Sequence, residues 1–331
     1  MEQLRNNIKE ARNIAKSSLD AYVRNMKVMA KAITGEEYKN PNFLNDFDKV
    51  KKHLETLKQS TKKNKLATIS VVLRLDEKKN EKLIQKYNSY LYEVAKAYEE
   101  HISKNKKSKT QSENWVQLED LLKVFNILKK EVFAEELHKA TKKFASKDEK
   151  ELLQKFMVAS LYTLIPPRRN RDYSEMKVIT ESKHKELSES EKDDFNYLVM
   201  KNKSNMFFSF GDYKTKKIHG IQTVTIPKKL RQVLNIWRKF NKDSEFLIKN
   251  NRGKKMSANS LTKYLMKIFS KTGKKNISSS MLRHIFITYN PTLKEIRDAK
   301  KEGEKIAKDM GHSVDMQDKY VKKDSTDKKE K

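Results

Sequence analysis

Residues 146–180 read "SKDEKELLQKFMVASLYTLIPPRRNRDYSEMKVIT". This stretch changes texture halfway along. Its first part predicts a strong helix. Ser146, with Glu149 three residues on, fits a capping box in which each satisfies the other's backbone N–H. Pro166–Pro167 ends the helix, because a residue before proline is pushed out of the α region. "MKVIT" is β-branched and predicts a strand. Between helix and strand, three of the twelve arginines in the chain fall within four residues, at 168, 169 and 171.

Working outward, β character continues toward the C-terminus. "NMFFSF" and "IQTVTIP" read as strands, and "GDYKTKKIHG" between them reads as a basic hairpin loop. Helices then resume. "KKLRQVLNIWRKF" precedes "SANSLTKYLMKIFSKTG", which is capped by Ser257 and stopped before Gly273. "SSSMLRHIFITYN" opens after Ser278 or Ser279, and "TLKEIRDAKKEGEKIAKDM" runs to Gly311–His312.

Toward the N-terminus the pattern is helical throughout. "SLDAYVRNMKVMAKAI" places Leu19, Tyr22, Val23, Met26 and Met29 at helical spacing. "FLNDFDKVKKHLETLK", "LIQKYNSYLYEVAKAYEEHI" and "LEDLLKVFNILKKEVF" behave alike. Lysine runs such as "KKNK" and "KNKKSKTQSE" read as loops between them. A hinge belongs somewhere in 105–130. The expected organisation is mainly α: an all-α domain over 1–128, an α+β domain with a small antiparallel sheet over 129–320, and a polar tail over 321–331 without a fold of its own.

Composition limits function. The 331 residues carry a net charge of +30, from 74 basic against 44 acidic side chains. That balance favours a polyanion, most often nucleic acid, although a lysine-rich surface also serves solubility. Lysine outnumbers arginine about fivefold, so the few arginines are the informative cations: lysine cannot copy a planar two-pronged phosphate contact. No cysteine is present, which removes disulfides, thiol catalysis and cysteine-bound zinc. The seven histidines lack metal-ligand spacing, and neither cofactor nor metal is expected. No apolar leader or membrane-length stretch is apparent, so an intracellular, soluble protein is expected.

Four places carry candidate chemistry. Arg168 or Arg169 follows the proline pair. Lys214, Lys216 and Lys217 sit in the basic loop. Arg283 interrupts the apolar run of Met281, Leu282, Ile285, Phe286 and Ile287. A lone arginine there most often snorkels to the helix edge, whereas a buried one needs a partner. His284 points away from it and reads as a packed or half-exposed core histidine. His312 follows a glycine, and Tyr320 lies eight residues further on.

In this order the motifs resemble the tyrosine recombinase (phage integrase) family, whose pattern is Arg, a hairpin Lys, His-x-x-Arg, His or Trp, then Tyr. "RNRDY" supplies Arg169 with Asp172 at the acidic position three residues later, and "YKT" supplies Lys214. "SMLRH" supplies Ser280 and Arg283, "MGHS" supplies His312, and Tyr320 takes the nucleophile's place. The resemblance spans about residues 130–325, and the N-terminal helices resemble the family's core-binding domain. The "PPRRNRDY" form is similar to the branch in crypton elements and large DNA viruses.

The resemblance implies cutting and rejoining of double-stranded DNA through a 3′-phosphotyrosyl link, by a homotetramer on paired sites and without cofactor or metal. A nuclear or viral-factory location would follow for a eukaryotic virus or element. It gives Arg169 and Arg283 the phosphate, Lys214 the leaving 5′ oxygen and His312 a phosphate hydrogen bond. Arg168 remains the alternative first arginine, Lys216 and Lys217 the alternative lysines, and Arg171 a surface or backbone contact. Two departures stand out. Ser280 occupies the usual histidine position, and a hydroxyl cannot exchange protons near neutral pH. His312 and Tyr320 are eight residues apart where nine is usual. A type IB topoisomerase, a telomere resolvase and a catalytically weakened DNA-binding relic are the rival expectations.

Overall fold

A computed structural model describes residues 1–320. The tail expected over 321–331 lies outside them. The chain divides into two compact units, Met1–Lys107 and Ser108–Lys331. This division falls at the start of the 105–130 range, so the helix over 118–134 belongs to the second unit.

The first unit holds α1 (Glu2–Ala11), α2 (Lys16–Thr34), α3 (Phe47–Glu55), α4 (Gln59–Leu73) and α5 (Glu77–Ser103), with short 3₁₀ turns at Pro41–Asn45 and Arg74–Asp76. α2 buries Leu19, Met26, Met29, Ala30 and Ile33 along one face. It stops at Gly35, whose φ of 81° suits glycine and whose N–H donates to the Lys31 carbonyl. α4 corrects the sequence reading, because "KKNK" is not a loop but lies inside this helix. Thr68 through Leu73 are all buried, so the helix shows no one-sided apolar stripe. Its buried hydroxyls find partners: Thr68 accepts from Asn25 at 2.9 Å and Ser70 donates to Asn88 at 2.9 Å.

The second unit begins with α6 (Lys109–Asn114), α7 (Leu118–Ala134), α8 (Lys147–Thr163) and α9 (Asn170–Ser174). The Ser146–Glu149 capping box forms as the sequence predicts. Next come β1 (Lys177–Thr180), α10 (Glu181–Glu186), α11 (Glu189–Asp194), β2 (Asn196–Asn202), β3 (Asn205–Phe210), α12 (Lys216–His219) and β4 (Gln222–Thr225). Finally α13 (Lys228–Lys239), α14 (Ala258–Phe269), α15 (Ser279–Tyr289), α16 (Pro291–Asp309) and α17 (Val314–Tyr320) complete the unit. One core joins α7, α8, α13, α14 and α15 to the sheet through Val124, Phe156, Leu161, Phe208, Trp237, Leu265 and Leu282.

The sheet is mixed, which corrects the antiparallel expectation. Its order is β1-β2-β3-β4, with β1 and β2 parallel and the other two pairs antiparallel. Parallel neighbours need a crossover of a dozen or more residues. Residues 181–194, folded as α10 and α11, provide one. No helix among the described residues is long and apolar enough to cross a membrane.

Candidate active site

The segment after Pro167 sends its two adjacent arginines into different surroundings. Arg168 is locked into the protein. Its Nε donates to Asp172 Oδ2 at 2.8 Å and its Nη1 donates to Gln222 Oε1 at 3.1 Å. The guanidinium carbon stands 3.7 Å from the ring centre of Phe210 and 5.3 Å from that of Tyr213. Such stacking suits a flat, weakly hydrated cation. Asp172, which the family pattern sets with Arg169, bonds instead to Arg168, four residues before it.

Arg169 is half-buried at the N-cap of α9 and holds no side-chain hydrogen bond or ion pair among the described residues. The start of α9 is nonetheless firmly set. Asn170 accepts from the Tyr162 hydroxyl at 2.7 Å and donates to Thr262 Oγ1 at 2.7 Å, joining α8, α9 and α14. Burial, with the charges of Tyr173 and Asp172, raises the Tyr162 phenol well above its ordinary pKa, so it stays a neutral donor.

Arg283 comes from α15, capped by Ser278 and anchored by buried Met281, Leu282 and Ile285. Its side chain is half-buried, and Nε is shielded from solvent without a hydrogen-bond partner. Burial lowers its pKa first, and the charge of Arg169 lowers it further, against Asp172 and Tyr162. The fold thus brings Arg169 and Arg283 within electrostatic reach of each other. Asp172 lies among all three arginines, yet burial outweighs them and raises its pKa above the usual carboxylate value. Its Oδ1 is shielded and unpartnered. An apolar groove of about 450 Å³, walled by Pro166, Pro167, Phe286, Ile287 and Leu293, opens beside Arg283.

Lys214 lies in the connection between β3 and β4 and is exposed. The connection is fastened to the arginine segment at several points. Buried Asn196 donates to the carbonyls of both Asp172 and Asp212. Arg171, exposed, pairs with Asp212. The Tyr213 hydroxyl donates to the Gly220 carbonyl at 2.6 Å and draws the connection closed. Lys216 is engaged by Asp193, donating to its carbonyl at 2.8 Å and pairing with its carboxylate. Lys217 is exposed like Lys214, and neither makes a hydrogen bond or ion pair among the described residues.

Ser280 is exposed one turn before Arg283. His312 follows Gly311, whose φ is 71°, and its N–H donates to the Ala307 carbonyl at 3.0 Å. The His312 ring lies 5.5 Å from that of Tyr320, which is 62% exposed at the end of α17. Among the described residues no hydrogen bond or ion pair joins either of these rings to Arg169, Arg283 or Lys214. The site therefore falls into two parts: the arginines with the Lys214 connection, and the His312–Tyr320 pair. Sequence reasoning missed Asn170, Asn196 and Gln222, whose hydrogen bonds reach residues up to 92 positions away. Comparison of the sequence with models of protein families, and with curated proteins, returns no match.

Proposed function

We propose that the chain is a tyrosine-type DNA strand transferase acting as a site-specific recombinase. One observation carries this reading. Arg169 and Arg283 come from segments more than a hundred residues apart, the charge of Arg169 reaches Arg283, and neither forms an ion pair among the described residues. Two like charges brought together at a half-buried surface repel each other, Asp172 alone offsets them only in part, and an added anion would be drawn to them. A phosphodiester supplies that anion, and guanidinium forks suit its non-bridging oxygens. The net charge of +30 supports a DNA partner.

In the proposed reaction Tyr320 Oη attacks phosphorus and its proton is lost to solvent. The bond from phosphorus to the 5′ oxygen breaks, and Lys214 gives that oxygen a proton. A free phenol has a pKa of about 10 and is a poor nucleophile. Arg169 and Arg283 offset this by stabilising the charge that builds on the five-coordinate phosphorus. His312, beside Tyr320, bonds the phosphate. Bond energy is kept in the phosphotyrosyl link, so rejoining needs only the reverse attack. Paired DNA sites, a homotetramer and an intracellular location belong to the same proposal.

A nicked suicide substrate tests it. Wild type accumulates a covalent protein–DNA adduct, whereas Tyr320→Phe binds DNA and forms none. Adduct formation by the Phe variant overturns the site assignment. Exchange of strands between two labelled duplexes marks a recombinase, and relaxation of supercoils without exchange marks a topoisomerase. Ser280 favours a slow enzyme, and DNA binding without any adduct marks a relic.

A further inference from the structure

We propose that Arg168 is a positioning residue that holds Lys214 at the leaving oxygen; this rests on the strand-transfer reading above. The contacts of Arg168 bracket the whole β3–β4 connection. Phe210, under its guanidinium, is the last residue of β3. Tyr213, at 5.3 Å, immediately precedes Lys214. Gln222, its hydrogen-bond acceptor, opens β4. The fourth contact, Asp172, is 4% exposed and fixes Arg168 to the helix whose N-cap is Arg169.

One flat cation therefore joins the phosphate-binding arginine to the base of the loop that carries the proposed acid. Tyr213 closes that base onto Gly220, leaving Lys214 and residues 217–219 exposed beyond it. Lysine at 168 would keep the charge beside Asp172 but lose the stacking plane and the second hydrogen bond. The loop base would loosen while the core stayed filled.

In the step concerned, the Tyr320 Oη–phosphorus bond forms and the phosphorus–O5′ bond breaks. The oxygen leaves with the bonding pair and takes the Lys214 proton. Replacing that oxygen by sulfur removes the need for the acid, since a thiol has a pKa of about 8.5. An alkoxide is nearly as basic as hydroxide and leaves poorly without a proton. A loss caused by a misplaced Lys214 is thus repaired by a 5′-bridging phosphorothiolate, whereas loss of phosphate binding or of folding is not.

The experiment uses the full chain and two suicide duplexes identical except for oxygen or sulfur at the bridging position. Wild type, Arg168→Lys, Arg168→Met, Lys214→Ala and Arg169→Ala are compared by single-turnover adduct formation. A displaced acid forfeits part of its usual effect, so Arg168→Lys slows cleavage of the oxygen substrate about 10- to 100-fold. On the sulfur substrate it returns to within about threefold of wild type, as Lys214→Ala does, because no acid is then required. Arg169→Ala stays slow on both. Arg168→Met, which leaves Asp172 unpaired, serves as the more disruptive variant, and circular dichroism reports whether it folds. Equal slowing of Arg168→Lys on both substrates, or no slowing on either, overturns the positioning role while leaving strand transfer standing. No adduct from wild type on either substrate overturns both.

Discussion

Replacement of Gly211 by alanine tests how tightly the Lys214 connection is seated. Gly211 follows β3, and its N–H donates to the Phe195 carbonyl at 3.2 Å. A Cβ at this position would lie 1.8 Å from the Lys192 carbonyl oxygen and 2.8 Å from that of Phe195. Both are backbone atoms, so no side-chain rotation relieves the clash. Forced overpacking costs about 1–3 kcal/mol. The strained hydrogen bond adds about 1 kcal/mol. Together these predict a loss of about 2–4 kcal/mol, or roughly 5–15 °C in Tm for a unit of this size. Both tryptophans of the chain, Trp115 and Trp237, lie in the second unit, so tryptophan fluorescence follows that unit alone. Gly303→Ala is the control. It sits in α16 with its nearest neighbour, Gln317 Oε1, 4.0 Å away, and gains helix propensity. A Gly211→Ala transition within about 2 °C of wild type would refute the seating of the connection against the α11–β2 junction.

Other perturbations separate stability from chemistry. Arg169→Ala leaves the Trp-detected transition within about 0.5 kcal/mol of wild type, because the side chain holds no partner. It lowers adduct formation about 10²–10³-fold, the scale for losing one group that stabilises transition-state charge. A transition shifted as far as that of Gly211→Ala would show that Arg169 is structural.

In the first unit, the shielded His53 Nε2 and Lys65 Nζ have no hydrogen-bond partner among the described residues. Burial lowers both pKa values, and Lys65 lowers that of His53 further. The unfolded chain then binds more protons than the folded one, so this unit loses stability as pH falls: Lys65 contributes the loss below 10.5, and His53 the loss below 6.5. Hydrogen exchange over residues 1–107 should show protection falling on acidification. Lys65→Met should raise protection by on the order of 1 kcal/mol by removing an unpartnered buried amine. Protection that rises with acid contradicts the burial of these groups. DNA affinity should fall about 10³–10⁵-fold between 50 and 200 mM salt if six to ten phosphates are neutralised, and a flat response in a titration would remove the electrostatic basis of the interface.

Local signals in the sequence were read well where short-range chemistry decides the outcome. The caps at Ser146, Ser257 and Ser278 form as their side chains dictate. The strands around Lys214 pair as a hairpin. α4 was hidden because Lys62 and Lys65 mimic a solvated loop and its β-branched C-terminal half is buried on every side. β2 and its parallel pairing with β1 depend on the route of the crossover, which no local pattern encodes. At the site, spacing suggested Asp172 as the partner of Arg169. Arg168, four residues from the acid, takes it instead and leaves Arg169 without an ion pair among the described residues. The electrostatic reach of Arg169 to Arg283, 114 positions along the chain, depends on tertiary packing, so only the family pattern hinted at it.

The central claim is that Tyr320 becomes covalently joined to DNA. Wild type is trapped on a nicked suicide duplex, the DNA is trimmed, and tryptic peptides are sequenced by mass spectrometry. Cleavage after Lys319 yields a peptide beginning at Tyr320. The account predicts that this peptide carries the nucleotide mass, linked through a 3′-phosphate. A nucleotide on any other tyrosine, a 5′-phosphate linkage, or no adduct at all would contradict it.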